Sequence, residues 1–367
     1  MKTLKQNTPL IFAIAIGFGI FSCGKSTVKP KTQTQTIFTV TTLAGSGTAG
    51  TANGTGTAAS FSSPSGVAIS SGGTLYVADF GNSLVRTVNT STGAVVGFAG
   101  TGVQGFLNGA AASAKFNGSA NIVFDKSGNL FIADEQNNAI REVSASGNVT
   151  TVAGSGVSGY LDGPASTAQF NHPEGMVFDA SGNLYVVESA NNVVRKINLS
   201  TSTVSTYAGS TAGTAGFNNG TLSAATFHSP YGIAMDASGN MYVADIVNNC
   251  VRKITVSTGV VSTFAGSGAQ GLTNGPAASA TFYYPAGVAF DSKGNLYIAE
   301  LRNNTIREVS TTGTVTTYAG TGAQGATDGL AAAATFYQPI GLTFDSNDNL
   351  YIADEYNNKI RKVTISH

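Results

Sequence analysis

The sequence predicts an all-β protein: a six-bladed β-propeller of four-stranded antiparallel blades, its ring closed by the N-terminal strand completing the last blade. Three observations carry this. A marker of the form Leu-Tyr-Val-Ala-Asp, followed by an Asn-Asn pair and an arginine, recurs six times. Its arginines are Arg86, Arg141, Arg195, Arg252, Arg307 and Arg361, in steps of 55, 54, 57, 55 and 54 residues. A near-constant period of this length marks a repeat architecture. Each copy divides into four short strand-like segments separated by turn chemistry, which is the content of one propeller blade. The chain ends also complement each other. The last copy stops after its third strand, and Phe38–Ala44 reads as a fourth strand with no other three.

The copy around Asp291 shows the reasoning element by element. Gly287–Phe290 is the first strand, and Asp291-Ser-Lys-Gly-Asn is a turn whose Asp and Gly suit its backbone demands. Leu296–Glu300 is the second strand, Leu301–Asn304 a loop, Thr305–Val309 the third strand, and Val315–Ala319 the fourth. Composition agrees: charged residues are only 10%, with 46 glycines and long Thr/Val stretches, as in an all-β chain. Two cysteines allow no disulfide framework, so stability must come from the fold. Net charge is zero and the body of the chain carries no basic cluster, which argues against nucleic acid as a partner.

The first residues differ in kind. Lys2 and Lys5 precede the apolar run Leu10 to Phe21, which ends at Ser22-Cys23-Gly24. That run is short for a bilayer span and has the layout of a secretory signal. Ile20-Phe21-Ser22-Cys23 resembles the bacterial lipoprotein lipobox, with Phe21 bulkier than the usual pattern. The resemblance implies a signal peptide over residues 1–22, with Cys23 as the lipidation site and acylated N-terminus that holds the protein to a membrane. Removing Lys2 and Lys5 leaves 17 basic against 19 acidic residues. Residues 23–36 read as a flexible tether spanning roughly 20 Å, and residues 37–367 as the propeller. The residues after Cys23, Gly24-Lys25-Ser26, lack an acidic signal, so the expected location is the cell envelope, at the outer membrane.

The run Gly-Asn-Leu-Tyr-Val-Ala-Asp…Asn-Asn-x-Ile-Arg-Lys-Val resembles the NHL repeat over residues 37 to 367. Asn-Asn-x stands in place of the Asn-His-Leu signature in most copies, and Asn82-Ser83-Leu84 in the first. The resemblance implies the propeller fold. It leaves function open, because the family includes sensor ectodomains, protein-interaction modules, RNA binders and a zinc-dependent lyase.

The acids Asp79, Asp134, Glu188, Asp245, Glu300 and Asp354 form one column and the six arginines another. A residue present in every blade serves what every blade shares, so both columns read as structural, and the Asn pairs as loop formers bonding their own backbone. Function is expected where the copies differ. Before each first strand stand Ser62-Ser63, Asn117-Gly118, Asn171-His172, His228-Ser229, Tyr283-Tyr284 and Tyr337-Gln338; beyond the following prolines lie Ser65, Glu174, Tyr231, Ala286 and Ile340. The candidate ligand-binding residues are therefore His172, Glu174, His228, Tyr231, Tyr283, Tyr284, Tyr337 and Gln338, on loops around the channel mouth, suited to a carbohydrate, peptide or protein ligand.

Enzyme readings are weaker. The lyase resemblance would imply central histidines, and the chain has three: His172, His228 and the terminal His367. Zinc sites take three or four protein ligands. Lactonases resembling gluconolactonase hold a divalent cation near the channel, yet of the first-strand residues read as channel wall only Thr343 is polar. No nucleophile–base pair is recognisable, so no catalytic residue, metal ligand or cofactor is assigned. A metal-dependent propeller enzyme and a passive scaffold in an envelope complex stay as alternatives. Cys250 occupies an ordinary half-buried strand column.

Overall fold

The computed structural model describes residues Thr36–Ser366; the signal peptide, Cys23, the tether up to Gln35 and His367 lie outside the described residues. Six sheets are arranged as the repeats predict, and the order of strands is the same in each. Their first, innermost strands are Pro64–Ile69, Ser119–Phe124, Pro173–Phe178, Pro230–Met235, Pro285–Phe290 and Pro339–Phe344, which define blades I to VI. In blade III the remaining strands are Leu184–Glu188, Val193–Asn198 and Thr203–Ala208, each antiparallel to its neighbour.

Each sheet has a fifth strand that the four-strand reading missed. It is a two-residue piece such as Gly163–Pro164, which pairs with Val204 and Thr203 on the outer edge of blade III. It belongs to the long connection entering the blade, so the incoming chain covers the edge that would otherwise stand unpaired. Blade VI closes as expected. Ile37–Ala44 pairs with Lys359–Ser366 from Ile37↔Ser366 to Ala44↔Ile360, joining the two ends of the chain in one sheet.

The acid and arginine columns are structural, and the geometry shows what they do. In blade IV, Arg252 is wholly buried. Its Nη1 donates to Asp245 at 3.0 Å and to the Thr226 carbonyl at 2.8 Å; its Nη2 donates to the Asn218 carbonyl and to Asn219 Oδ1, both at 2.8 Å. Phe227 lies 5.3 Å beneath the guanidinium, a cation–π contact whose counterpart recurs in the other five blades. One guanidinium thus ties the incoming connection to the third strand. Its partner Asp245 also accepts the His228 N–H at 2.7 Å and the Asn248 side chain at 2.8 Å.

The Asn pairs do not chiefly bond their own backbone. The first donates to the acid and to the incoming connection, as Asn248 does to the Gly216 carbonyl at 2.7 Å. The second has a left-handed backbone, a conformation that asparagine tolerates well, and reaches the next blade. Asn249, at φ 51°, accepts the Tyr284 N–H of blade V. Asn192 does the same for Ser229, Asn304 for Gln338 and Asn358 for Ser63. These contacts run around the ring and fix the loop ahead of each first strand.

The first strands pack closely enough that glycine is required. A Cβ on Gly287 would lie 1.8 Å from the Ile340 carbonyl oxygen, and one on Gly341 2.1 Å from that of Ser65. The core divides into six apolar clusters, most of them between adjacent blades. Cys250 is fully buried rather than half-buried, and burial pushes its thiol far above the usual range. That suits an inert packing residue.

Replacing Arg252 by Met leaves the buried Asp245 without its counter-charge and is expected to cost about 3–5 kcal/mol. The exposed Thr258→Ala change should stay within about 0.5 kcal/mol. Denaturant unfolding of the two variants checks this, and equal midpoints would remove the arginine from its structural role.

Candidate functional site

The starts of the first strands and the loops between second and third strands share one face, because the first residue of each first strand pairs with the column acid or, in blade II, Ser119 pairs with Asp134. That face is the channel mouth. Three local features aim side chains into it. The residues before the first strands, His172, Ser229, Tyr284, Gln338 and Ser63, hold φ between 46° and 55°, and Gly118 has φ 69°. A left-handed backbone is uncommon outside glycine and persists only where the surroundings impose it. Here the column acid and the neighbouring Asn do so. Two residues later the first strand bulges; in blade III, Glu174 and Gly175 lie opposite Val187 alone. A bulge re-aims a side chain, and this one carries Ser65, Ala120, Glu174, Tyr231, Ala286 and Ile340 around the ring.

The third feature is the residue directly after the column acid: Phe80, Glu135, Ser189, Ile246, Leu301 and Glu355. Glu135 and Glu355 were missed in the sequence reading, although the column is visible there. Donor atoms of Glu135, His172 and Glu174 all lie within 4.8 Å of one another. His172 Nδ1 bonds the Glu135 carboxylate while the rest of its ring stays about half exposed. Glu174 is 5% exposed. One of its oxygens accepts the Ser189 hydroxyl at 3.2 Å, and the other is buried with no hydrogen-bond partner. The Tyr231 hydroxyl lies beside Glu174 and Ser65.

Opposite this acidic half the mouth is apolar. Ile246, Ala286 and Ile340 are buried there, with Tyr231, Val247, Tyr284 and Leu301 packed on them. Tyr283 and Tyr284 meet edge to face at 5.2 Å, and Arg302 sits 5.7 Å over Tyr284. Below, the channel narrows between Ser65, Val67, Asn121, Tyr231 and Leu342. The wall residue of the last blade is Leu342 rather than the polar Thr343, and Asn121 adds an amide where the other blades have glycine.

The predicted residues therefore separate. His172, Glu174, Tyr231 and Tyr284 converge on the mouth. His228 does not join His172: it stands one residue out of phase, in the column of Asn171, Tyr283 and Tyr337, whose backbone N–H groups bond the acids. Tyr337 packs instead on Tyr356, with rings 5.1 Å apart. Gln338 contributes its backbone N–H to Asn304.

Electrostatics set the acidic half apart. Burial and the neighbouring Glu135 push Glu174 well above the usual carboxyl range, against the pull of Ser189 and Tyr231. Burial raises Glu355 to about 7. Burial and the Glu174 charge raise the Tyr231 hydroxyl. Two carboxylates and an imidazole at ligand spacing, one oxygen being buried and unpartnered, also fit a divalent cation of the kind the lactonase resemblance implies.

A carboxyl whose folded value lies above its ordinary 4.5 binds more protons folded than unfolded, so its contribution is present below 4.5 and lost as pH rises towards about 7. Glu355→Gln should therefore gain stability relative to the native chain between pH 5 and 8. Paired chemical unfolding curves measure this, and a difference that is flat across that window would refute the raised value.

Comparisons with known proteins agree with the ring. The family model described as SMP-30/Gluconolactonase/LRE-like region matches residues 32–274. The NHL repeat model matches residues 282–308 and 336–363. Protein SUPPRESSOR OF QUENCHING 1, chloroplastic, of Arabidopsis thaliana is 25% identical over 308 residues, covering 80% of this chain but only 29% of that protein. An auxiliary nutrient binding protein from Bacteroides ovatus superposes with a TM-score of 0.68 at 16% identity, covering 91% of this chain and 78% of the other. A gluconolactonase from Xanthomonas campestris superposes with a TM-score of 0.56 at 15% identity, covering 84% and 87%. These two likenesses concern the fold alone. With a family model spanning most of its length and the same propeller geometry throughout, the chain belongs to the SMP-30/gluconolactonase/LRE-like family of β-propellers and carries NHL repeats in its last two blades.

Proposed function

We propose that this protein is a cell-envelope lipoprotein, acylated at Cys23 and held at the outer membrane, that binds a ligand at the mouth of its propeller. One observation carries the binding reading: a closed, rigid ring presents a mouth whose halves differ in chemistry. Glu135, Glu174 and His172 line one half, and Tyr231, Tyr284, Ile246 and Leu301 the other. Loops pinned by the Asp and Asn columns form a preorganised surface, which lowers the entropy lost on binding. Aromatic walls with a few convergent polar groups are the usual make-up of a small-ligand site. The description of a fold neighbour as an auxiliary nutrient binding protein supports the same reading. Carbohydrate and peptide ligands both suit such a wall, and nothing in the charge distribution favours nucleic acid.

A metal-dependent enzyme is the second reading, favoured by the spacing of Glu135, His172 and Glu174. A cation held there would polarise a substrate carbonyl or acidify a bound water. This chain's own part would be to orient the substrate on Tyr231 and Tyr284. Stoichiometric metal in the purified chain, with a melting temperature that falls in chelator, would establish it over simple binding.

Replacing Tyr231 and Tyr284 together by Ala should weaken binding of a ligand found by screening oligosaccharides and short peptides by about tenfold or more. Titration calorimetry on the detergent-extracted chain reads this, and unchanged affinity would move the site off the mouth. Cys23→Ala should abolish incorporation of a labelled fatty acid and release the protein to the soluble fraction. A variant that stays labelled and sedimenting would remove Cys23 as the anchor.

A further inference from the structure

The mouth concentrates acid, with the His172 imidazole bonded to Glu135 as the basic group beside it. Glu135 and Glu174 stand at ligand spacing, and Glu355 is near enough to act on the charge of both Glu174 and Tyr231. The blade arginines are committed to their own buried pairs, and Arg302 is stacked over Tyr284 on the opposite half. Glu174 is 5% exposed, and one of its carboxyl oxygens has no hydrogen-bond partner. A buried acceptor of this kind is costly unless something donates to it. The strand bulge and the pinned left-handed residue His172 hold the group in place, so it cannot relax away.

The neighbouring wall indicates what donates. Beside the carboxylates lie the Tyr231 hydroxyl and ring, and beyond them Tyr284, Ile246 and Leu301. A primary ammonium presents three N–H donors. They match the free Glu174 oxygen, a Glu135 oxygen and the Tyr231 hydroxyl. Aromatic faces attract a cation, and the apolar half offers cover to the carbon skeleton that carries it. A neutral sugar would supply no counter-charge, and an anion would meet three carboxylates. A hard divalent cation seeks six or more oxygen ligands and gains nothing from the tyrosine wall.

We propose that the mouth is selective for a primary ammonium group on an apolar or aromatic skeleton, with the ammonium seated between Glu135 and Glu174 and the skeleton laid against Tyr231 and Tyr284. This rests on the mouth being a binding site, as proposed above, and specifies the chemistry of its ligand.

The test compares two probes of one shape, 2-phenylethylamine and 2-phenylethanol, by titration calorimetry on the detergent-extracted full chain near pH 8. The amine should bind at least about tenfold more tightly than the alcohol. Glu174→Gln and Glu135→Gln should each weaken the amine about tenfold or more and leave the alcohol unchanged. Melting curves of both variants must match the native chain, and Glu135→Gln carries the test alone if Glu174→Gln fails to fold. Equal affinity for the two probes would overturn the ammonium site, while loss of both in Tyr284→Ala would keep the mouth as a binding site. Silence from both probes, with a melting shift on adding zinc or calcium chloride alone, would overturn it in favour of a metal site.

Discussion

Everything in this molecule hangs on a buried guanidinium repeated once per blade. A propeller blade taken alone is a twisted sheet with a free outer edge and a long connection that has little apolar surface of its own. The column arginine solves both problems, because its planar fork reaches in several directions at once. One nitrogen bonds the acid of the second strand and the other holds the chain entering the blade, while a phenylalanine closes the underside. Burying such a pair is no guarantee of net stability compared with an apolar substitute. What it does here is specify geometry: in each blade the acid's remaining hydrogen bonds go to the loop at the channel mouth. The second asparagine of each pair then carries that order to the next blade.

The mouth is where a repetitive scaffold becomes singular. Each blade offers the same three positions there, namely the left-handed residue, the bulge residue and the residue after the acid. Their identities differ from blade to blade. Blades II and III fill them with Glu135, His172 and Glu174, and blades IV and V with Tyr231, Ile246, Tyr284 and Leu301. Backbone strain is invested in these positions and offset by the columns that hold them, an arrangement that keeps charged groups together which would otherwise separate.

Most of the fold was legible because it is periodic. The strands, the closure by Ile37–Ala44 and the structural nature of both charged columns follow from six aligned copies and two complementary ends. The fifth strands were not legible, since a Gly-Pro or Gly-Thr dipeptide has no strand signal and pairs only because the connection happens to run along an edge. The site was legible in part. Glu174 and Tyr231 stood out because the copies differ just after each proline, but Glu135 meets His172 across two blades, a contact that no local pattern encodes. His228 misled for the opposite reason. One step of sequence phase changes which face a side chain takes, and that step separates it from His172. The Asn pairs looked local because asparagine so often bonds its own turn, whereas here the partner belongs to the next repeat.

The closing strand has a directional consequence. Ala44, at its end, lies beside Ile360 next to the loop face, whereas Ile37, at its beginning, pairs with Ser366 at the far side of the disc. The first and last described strand residues, Ile37 and Ser366, therefore meet on the face away from the acidic and aromatic pocket, and the ring is sealed from the side opposite its mouth.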